Sequence, residues 1–217
     1  MIWLLDLDNT LVGRTEAFRA WAADSLAAAG APADALEAVL AVDEDGHGSK
    51  TALAALLVDL LGWDDDVPAA ILRFRAGIVE RLRAYDGVLA DLDTLRAAGH
   101  RVAVVTNGTS AQQRAKVART GIEEHVDVVV VSDEEGVAKP DPRLLEIALH
   151  RLGAAGADRG GVWMVGDAAH ADVAAGRAAG VRTAWVSHGR VWEGPAGPDV
   201  VGSTTREALA LAGAHGG

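Results

Sequence analysis

The chain has 217 residues, half of them hydrophobic, enough to bury a substantial core as one large domain or as a core with a smaller insert. Its formal net charge is −11, a field that repels nucleic-acid phosphates and argues against a nucleic-acid polymer as partner. It has no cysteine, which excludes disulfides, thiolate metal sites and cysteine nucleophiles.

Residues 2–5 form a short apolar run without alternation, as expected of a parallel strand buried on both faces. Asp6 cuts this run short and no basic residue precedes it, unlike a secretory leader. No apolar run reaches transmembrane length. The expectation is a soluble, cytoplasmic protein with no membrane partner.

Residues 14–87 carry no strand pattern. Helical spacing occupies 16–29, 33–42, 50–61 and 67–84, with breaks at 30–32, 45–48 and 62–66. A β-crossover needs far fewer residues, so this stretch reads as an inserted all-helical subdomain that leaves near Gly13 and returns near Gly87. Beyond it, apolar runs at 102–105, 126–131, 162–165 and 183–186 alternate with helical patterns at 91–98, 110–120, 142–152 and 172–179. Gly99, Gly121, Gly153 and Gly180 stand where left-handed C-caps belong. The tail from Gly194 is rich in Gly and Pro, with an edge strand expected at 199–201 and a helix at 205–212. The alternation predicts an α/β fold, a parallel sheet with helices on both sides, formed by residues 1–13 and 88–217.

In open parallel sheets, ligands bind beyond the carboxyl ends of the strands. The first strand ends in Asp6-Leu7-Asp8-Asn9-Thr10 and the second in Thr106-Asn107-Gly108. The fourth ends in Gly166-Asp167, with Asp172 close behind, and Lys139-Pro140-Asp141-Pro142 follows the third. One edge thus gathers an acid pair, a hydroxyl, a cation and a second acid pair. A carboxylate is a competent nucleophile toward phosphorus, but two anions must then approach, which calls for a hard cation. Magnesium takes carboxylate and carbonyl oxygens and bridges to phosphate. Asp6 and Asp167 can supply carboxylates and Asp8 its backbone carbonyl. The Asp8 side chain is then available as general acid and, in a second step, base, given a raised pKa in a closed site. Thr106, Lys139 and the amides near Asn9, Asn107 and Gly108 are candidates to hold the phosphoryl oxygens.

Taken together and in this order, the four motifs resemble those of the haloacid dehalogenase-like (HAD) hydrolase superfamily over nearly the whole chain. The resemblance implies a Rossmann-like core and assigns residues 14–87 as a helical cap that closes over the site and selects the substrate. It implies that Asp6 is nucleophile and metal ligand, and that Asp8 is general acid/base and ligates through its carbonyl. Thr106 and Lys139 match phosphate-binding positions, Asp167 a metal-ligand position, and Asp172 a second acid that reaches the metal directly or through water. Asn9 stands where many relatives have Gly, and His170 falls where they vary. The implied activity is magnesium-dependent hydrolysis of a small phosphorylated metabolite through an aspartyl-phosphate. The alternative is a phosphomutase of a sugar phosphate on the same scaffold. Phosphoglycolate, sugar phosphates and nucleotides all remain open as substrates. Asp8 argues against dehalogenation, which needs no acid on the leaving group. An Asp on the first strand, followed by a long helical insert, argues against a receiver domain.

Other polar residues have plainer readings. His47, His125, His150 and His188 lack ligand spacing and read as structural or surface groups. The acidic runs 43–45 and 64–66 read as solvated loops. Arg73, Arg75, Arg81 and Arg83 read as a snorkelling, salt-bridged helix face.

Overall fold

A computed structural model describes residues 1–194 and 196–215; Pro195, Gly216 and Gly217, expected in the sheet domain, lie outside the described residues. By contacts the chain divides into two units, Met1–Val12 with Ala84–Gly217, and Gly13–Arg83.

The second unit consists of four α-helices, α1 (Arg14–Ala29), α2 (Ala35–Asp43), α3 (Lys50–Leu61) and α4 (Val67–Arg81), with a short 3-10 turn after α2. Local chemistry sets their ends. Gly30 and Gly62 adopt the left-handed C-cap. Ser49 caps α3 by accepting from the Ala52 amide, and Asp66 caps α4 by accepting from the Ala69 amide. Phe18, Trp21 and Phe74 meet at ring separations of 5.9–6.5 Å and form the aromatic centre of this core. The expected helix 67–84 ends at Arg81, and Ala84 instead bridges Val12 in the first unit. Arg73 pairs with Asp65 and Arg81 with Asp24, as expected of a salt-bridged face. The acidic run 43–45 departs from the solvated-loop expectation. Asp43 is 1% exposed and forms a two-pronged ion pair with buried Arg14, one arm of it 2.7 Å long.

The first unit holds a six-stranded parallel sheet: β1 (Ile2–Leu5), β2 (Arg101–Thr106), β3 (Val128–Val131), β4 (Val162–Gly166), β5 (Arg182–Val186) and β6 (Val200–Gly202). Its order is β3-β2-β1-β4-β5-β6. Helices α5 (Val88–Ala97), α6 (Ser110–Thr120), α7 (Ser132–Glu135), α8 (Arg143–Arg151), α9 (Ala174–Ala178) and α10 (Thr205–Ala214) connect and follow the strands. β1 and β4 are buried along their whole length, which is why they read as unbroken apolar runs. On one face, Leu144, Leu145, Ala148 and Leu149 of α8 share a cluster with Ile2, Leu4, Ala103, Val105 and Val130. Each fully buried leucine there contributes about 1.5–3 kcal/mol.

Two element boundaries differ from expectation for identifiable reasons. β3 begins at Val128 rather than 126. The Asp127 amide donates to the Val102 carbonyl while its carboxylate accepts from the Val102 amide, so one residue closes the ladder from both ends. The expected helix 172–179 opens as a π-helical turn, Ala169–Val173, ahead of α9. There the Asp172 carboxylate folds back to accept from the Ala168 amide at 2.9 Å.

β1 has β2 on one side and β4 on the other, so the chain reverses its direction of travel across the sheet at β1. Such a switch point leaves a crevice beyond the strands' carboxyl ends. Leu5 is level with Val104 and Val165, so Asp6 follows β1 while β2 runs on two residues to Thr106 and β4 one residue to Gly166.

Candidate active site

Asp6 follows β1 directly, and its amide extends the ladder by donating to Val165 at 2.9 Å. Asp167 follows β4, and Asp172 sits in the π-helical turn behind it. One carboxylate oxygen from each of these three residues lies within 4.8 Å of the other two, and all three side chains are buried. Gly166 makes this convergence possible, because a Cβ there would stand 2.1 Å from Asp172 Oδ2.

The Lys139 ammonium enters the cluster from the loop after α7. It lies 2.6 Å from Asp6 Oδ1 and 2.8 Å from Asp172 Oδ1, and it donates to the Val105 carbonyl at 2.6 Å. Lys139 is 4% exposed, not the solvated lysine its neighbours in sequence would suggest. Asn107 holds its backbone from both sides. The Asn107 amide donates to the Lys139 carbonyl and the Asn107 Oδ1 accepts from the Lys139 amide, each at 2.9 Å.

Crowded acids shift one another. The Asp6 pKa is pushed well above the usual carboxylate range, mainly by burial, with Lys139 opposing the rise and Asp172 and Asp167 adding to it. Asp167 is raised to about 7, again by burial first and by Asp172 second. Burial alone would lower Lys139, but Asp172 and Asp6 outweigh it and the net shift is upward. Three acids facing one ammonium leave an excess of negative charge that a cation would relieve. An all-oxygen donor set suits a hard divalent ion.

The remaining predicted residues fall into two groups. Asp8 and Thr106 are joined through Gln113 of α6, whose amide donates to Thr106 Oγ1 at 2.6 Å and to Asp8 Oδ2 at 3.1 Å. Asn9 and Gly108 play a different part from the one expected. The Asn9 amide donates to the Val12 carbonyl at 2.8 Å and the Gly108 amide to Ser132 Oγ at 3.0 Å, so neither is the open phosphate-facing donor expected from the sequence. The reason is the tight turn after β1, in which the amides of Thr10, Leu11 and Val12 all converge on the Leu7 carbonyl. Asn9 sits there at φ 56°, a left-handed conformation that Gly or Asn tolerates best.

Three neighbours of the site were not singled out from the sequence. Gln113 and Lys116 are buried on α6. They occupy helical-face positions where periodicity expects apolar side chains, a legible signal. Arg190 donates to Asp167 Oδ2 at 3.2 Å and to the Asp167 carbonyl at 2.8 Å, and a lone arginine in a loop gives no such signal. His188, expected as structural or surface, donates from Nε2 to the Asn9 carbonyl at 2.6 Å.

Known proteins place this arrangement. A family model described as haloacid dehalogenase-like hydrolase matches residues 2–180. The plasmid-encoded phosphoglycolate phosphatase of Cupriavidus necator is 36% identical over 207 residues, 92% of this chain and 85% of that protein. The pyrimidine 5'-nucleotidase YjjG of Escherichia coli is 38% identical over 101 residues, 46% of this chain and 44% of that protein. In that relative and one further curated phosphatase, the chain spans about half the length, 44% and 50%. The solved structure of the HAD-hydrolase YfnB from Bacillus subtilis superimposes with a TM-score of 0.77 at 21% identity, covering 97% of each chain, which establishes a shared fold. With its parallel sheet, its four strand-end motifs and a family match across most of its length, the chain belongs to the haloacid dehalogenase-like hydrolases.

Proposed function

We propose that this protein is a magnesium-dependent phosphatase of a small phosphomonoester, working through a phosphorylated Asp6. The observation that carries this reading is the convergence of Asp6, Asp167 and Asp172 around the Lys139 ammonium at the switch point. Curated relatives named as phosphoglycolate and glyceraldehyde 3-phosphate phosphatases support the reaction class.

Asp6, Asp167 and the Asp8 carbonyl would hold the metal, with Asp172 reaching it directly or through water. When bound, magnesium would offset the acid excess and draw charge from the phosphoryl oxygens. Asp6 attacks phosphorus as a carboxylate, so its raised pKa must come down before reaction. Lys139 favours that ionised form, and its ammonium also faces the incoming phosphoryl group. Thr106 accepts from Gln113 through its oxygen, which leaves its own O–H to donate to a phosphoryl oxygen. Asp8 protonates the departing alcohol and then deprotonates the water that cleaves the acyl phosphate. The helical unit Gly13–Arg83 would act as the cap that selects the ester. Among the described residues no helix is long and apolar enough to cross a membrane.

The test is a panel of phosphate esters with and without magnesium, followed by hydroxylamine trapping and peptide mapping of the acyl phosphate. Label on the Asp6 peptide is expected. Turnover that survives a strong chelator, or label elsewhere, would overturn the assignment.

A further inference from the structure

The reaction proposed above uses Asp6, Asp8, Asp167, Asp172 and Lys139 but gives no task to two buried polar residues of α6. Lys116 is 3% exposed and Gln113 is 1% exposed, both on the same face of α6. Burying an ammonium is costly unless a partner repays it. Lys116 Nζ lies 2.5 Å from Asp8 Oδ2. Gln113 Nε2 reaches the same oxygen at 3.1 Å and Thr106 Oγ1 at 2.6 Å. Two donors one helical turn apart therefore grip one carboxylate oxygen, and one of them also grips the phosphate-facing hydroxyl.

The backbone is shaped to admit this grip. Gly108 has φ 145°, and a Cβ there would lie 3.0 Å from both Cγ and Cδ of Gln113. A side chain at position 108 would press on the glutamine, so the turn after β2 keeps the space that Gln113 fills. With its amide bonded to Ser132, Gly108 serves the site by making room rather than by binding phosphate.

We propose that Gln113 and Lys116 are positioning residues for this reaction. They form a two-donor clamp on α6 that fixes the Asp8 carboxylate through Oδ2 and sets it in register with the Thr106 hydroxyl. The inference rests on the reading of Asp8 as the acid and base of a phosphatase. It adds that the orientation of this acid is inherited from α6, because both donors on its Oδ2 belong to that helix.

The experiment compares the full chain with Lys116→Met, in magnesium, on p-nitrophenyl phosphate and on a simple alkyl phosphate, together with a crystal structure of the variant. A good leaving group needs little help from the acid, whereas an alcohol needs it fully. Loss of kcat on the alkyl ester should exceed loss on the nitrophenyl ester by at least ~10-fold, with KM changed little. The Asp8 carboxylate should move off α6 in the crystal. Equal losses on the two esters, or an Asp8 carboxylate that stays where it is, would overturn the clamp. If Lys116→Met does not fold, Gln113→Met is read by the same two measurements. The crystal readout separates this idea from the reading beneath it. A parent protein that hydrolyses neither ester, with Asp8 displaced in the variant, refutes the phosphatase while leaving the clamp standing.

Discussion

Both units bury charge, but they balance it differently. In the helical unit, Asp43 meets Arg14 with a bidentate geometry, with the Lys50 ammonium 3.9 Å away as a second cation, and Arg14 also lies 5.0 Å from the Phe18 ring centroid. In the sheet unit, three carboxylates cluster together, two of them, Asp6 and Asp172, on one buried ammonium and the third, Asp167, on the half-exposed Arg190 at the rim. An acid whose charge is fully matched by cations needs nothing further and fixes local structure. An unbalanced cluster raises its own pKa values and stays poised for a cation and a substrate. Charge stoichiometry, more than burial itself, separates the structural site from the chemical one.

That contrast can be broken in four ways. Asp6→Asn removes the nucleophile from the unbalanced cluster. Turnover should fall roughly 10⁴-fold or more while circular dichroism remains that of the parent, and a variant retaining a tenth of parent activity would contradict the role of Asp6. Asp43→Asn removes the matched acid and leaves Arg14 buried without its counter-charge. It should cost about 3–5 kcal/mol of stability in urea melts without changing how the acid cluster binds Mn²⁺, used as a paramagnetic probe. A weakened Mn²⁺ signal in a folded variant would mean that the two charge sites are not separate.

Gly166→Ala puts a methyl where the Asp172 carboxylate must lie. Mn²⁺ affinity should weaken roughly 10–100-fold, as for other changes to ligand support; unchanged affinity would remove Asp172 from the metal-site proposal. The smallest effect is a pH slope. In metal-free protein the Asp167 pKa stands at about 7, against about 3.9 in an unfolded chain. Between those values the folded state keeps a proton that the unfolded state has released, so this group's contribution makes stability fall as pH rises through that window. Asp167→Asn should therefore flatten the decline in melting temperature from pH 5 to pH 7 in chelator. An identical slope in both proteins would discard the shift.

The fold was legible because burial leaves a clear mark on parallel strands. Runs such as Ile2–Leu5 and Val128–Val131 cannot alternate when both faces are covered, and left-handed glycines marked the helix ends. The acids and Lys139 were legible because they stand within a few residues of those strand ends. For Gln113 and Lys116 only burial was legible, from their place on a helical face; no motif at a strand end tied them to Asp8, more than a hundred residues away. The loops of Asn9 and Gly108 were legible, but not that their own amides bond Val12 and Ser132, since a motif does not reveal which amides its own turn consumes.

By itself, the order of residues determined the alternation of strands and helices, the helical insert, and which carboxylates arrive at the sheet's edge, since all of these follow from local periodicity and chain position. Tertiary structure alone decided how the charges are shared. The number of donors that reach a given oxygen depends on distances between segments far apart in the chain, and electrostatic energy in a buried site follows those distances.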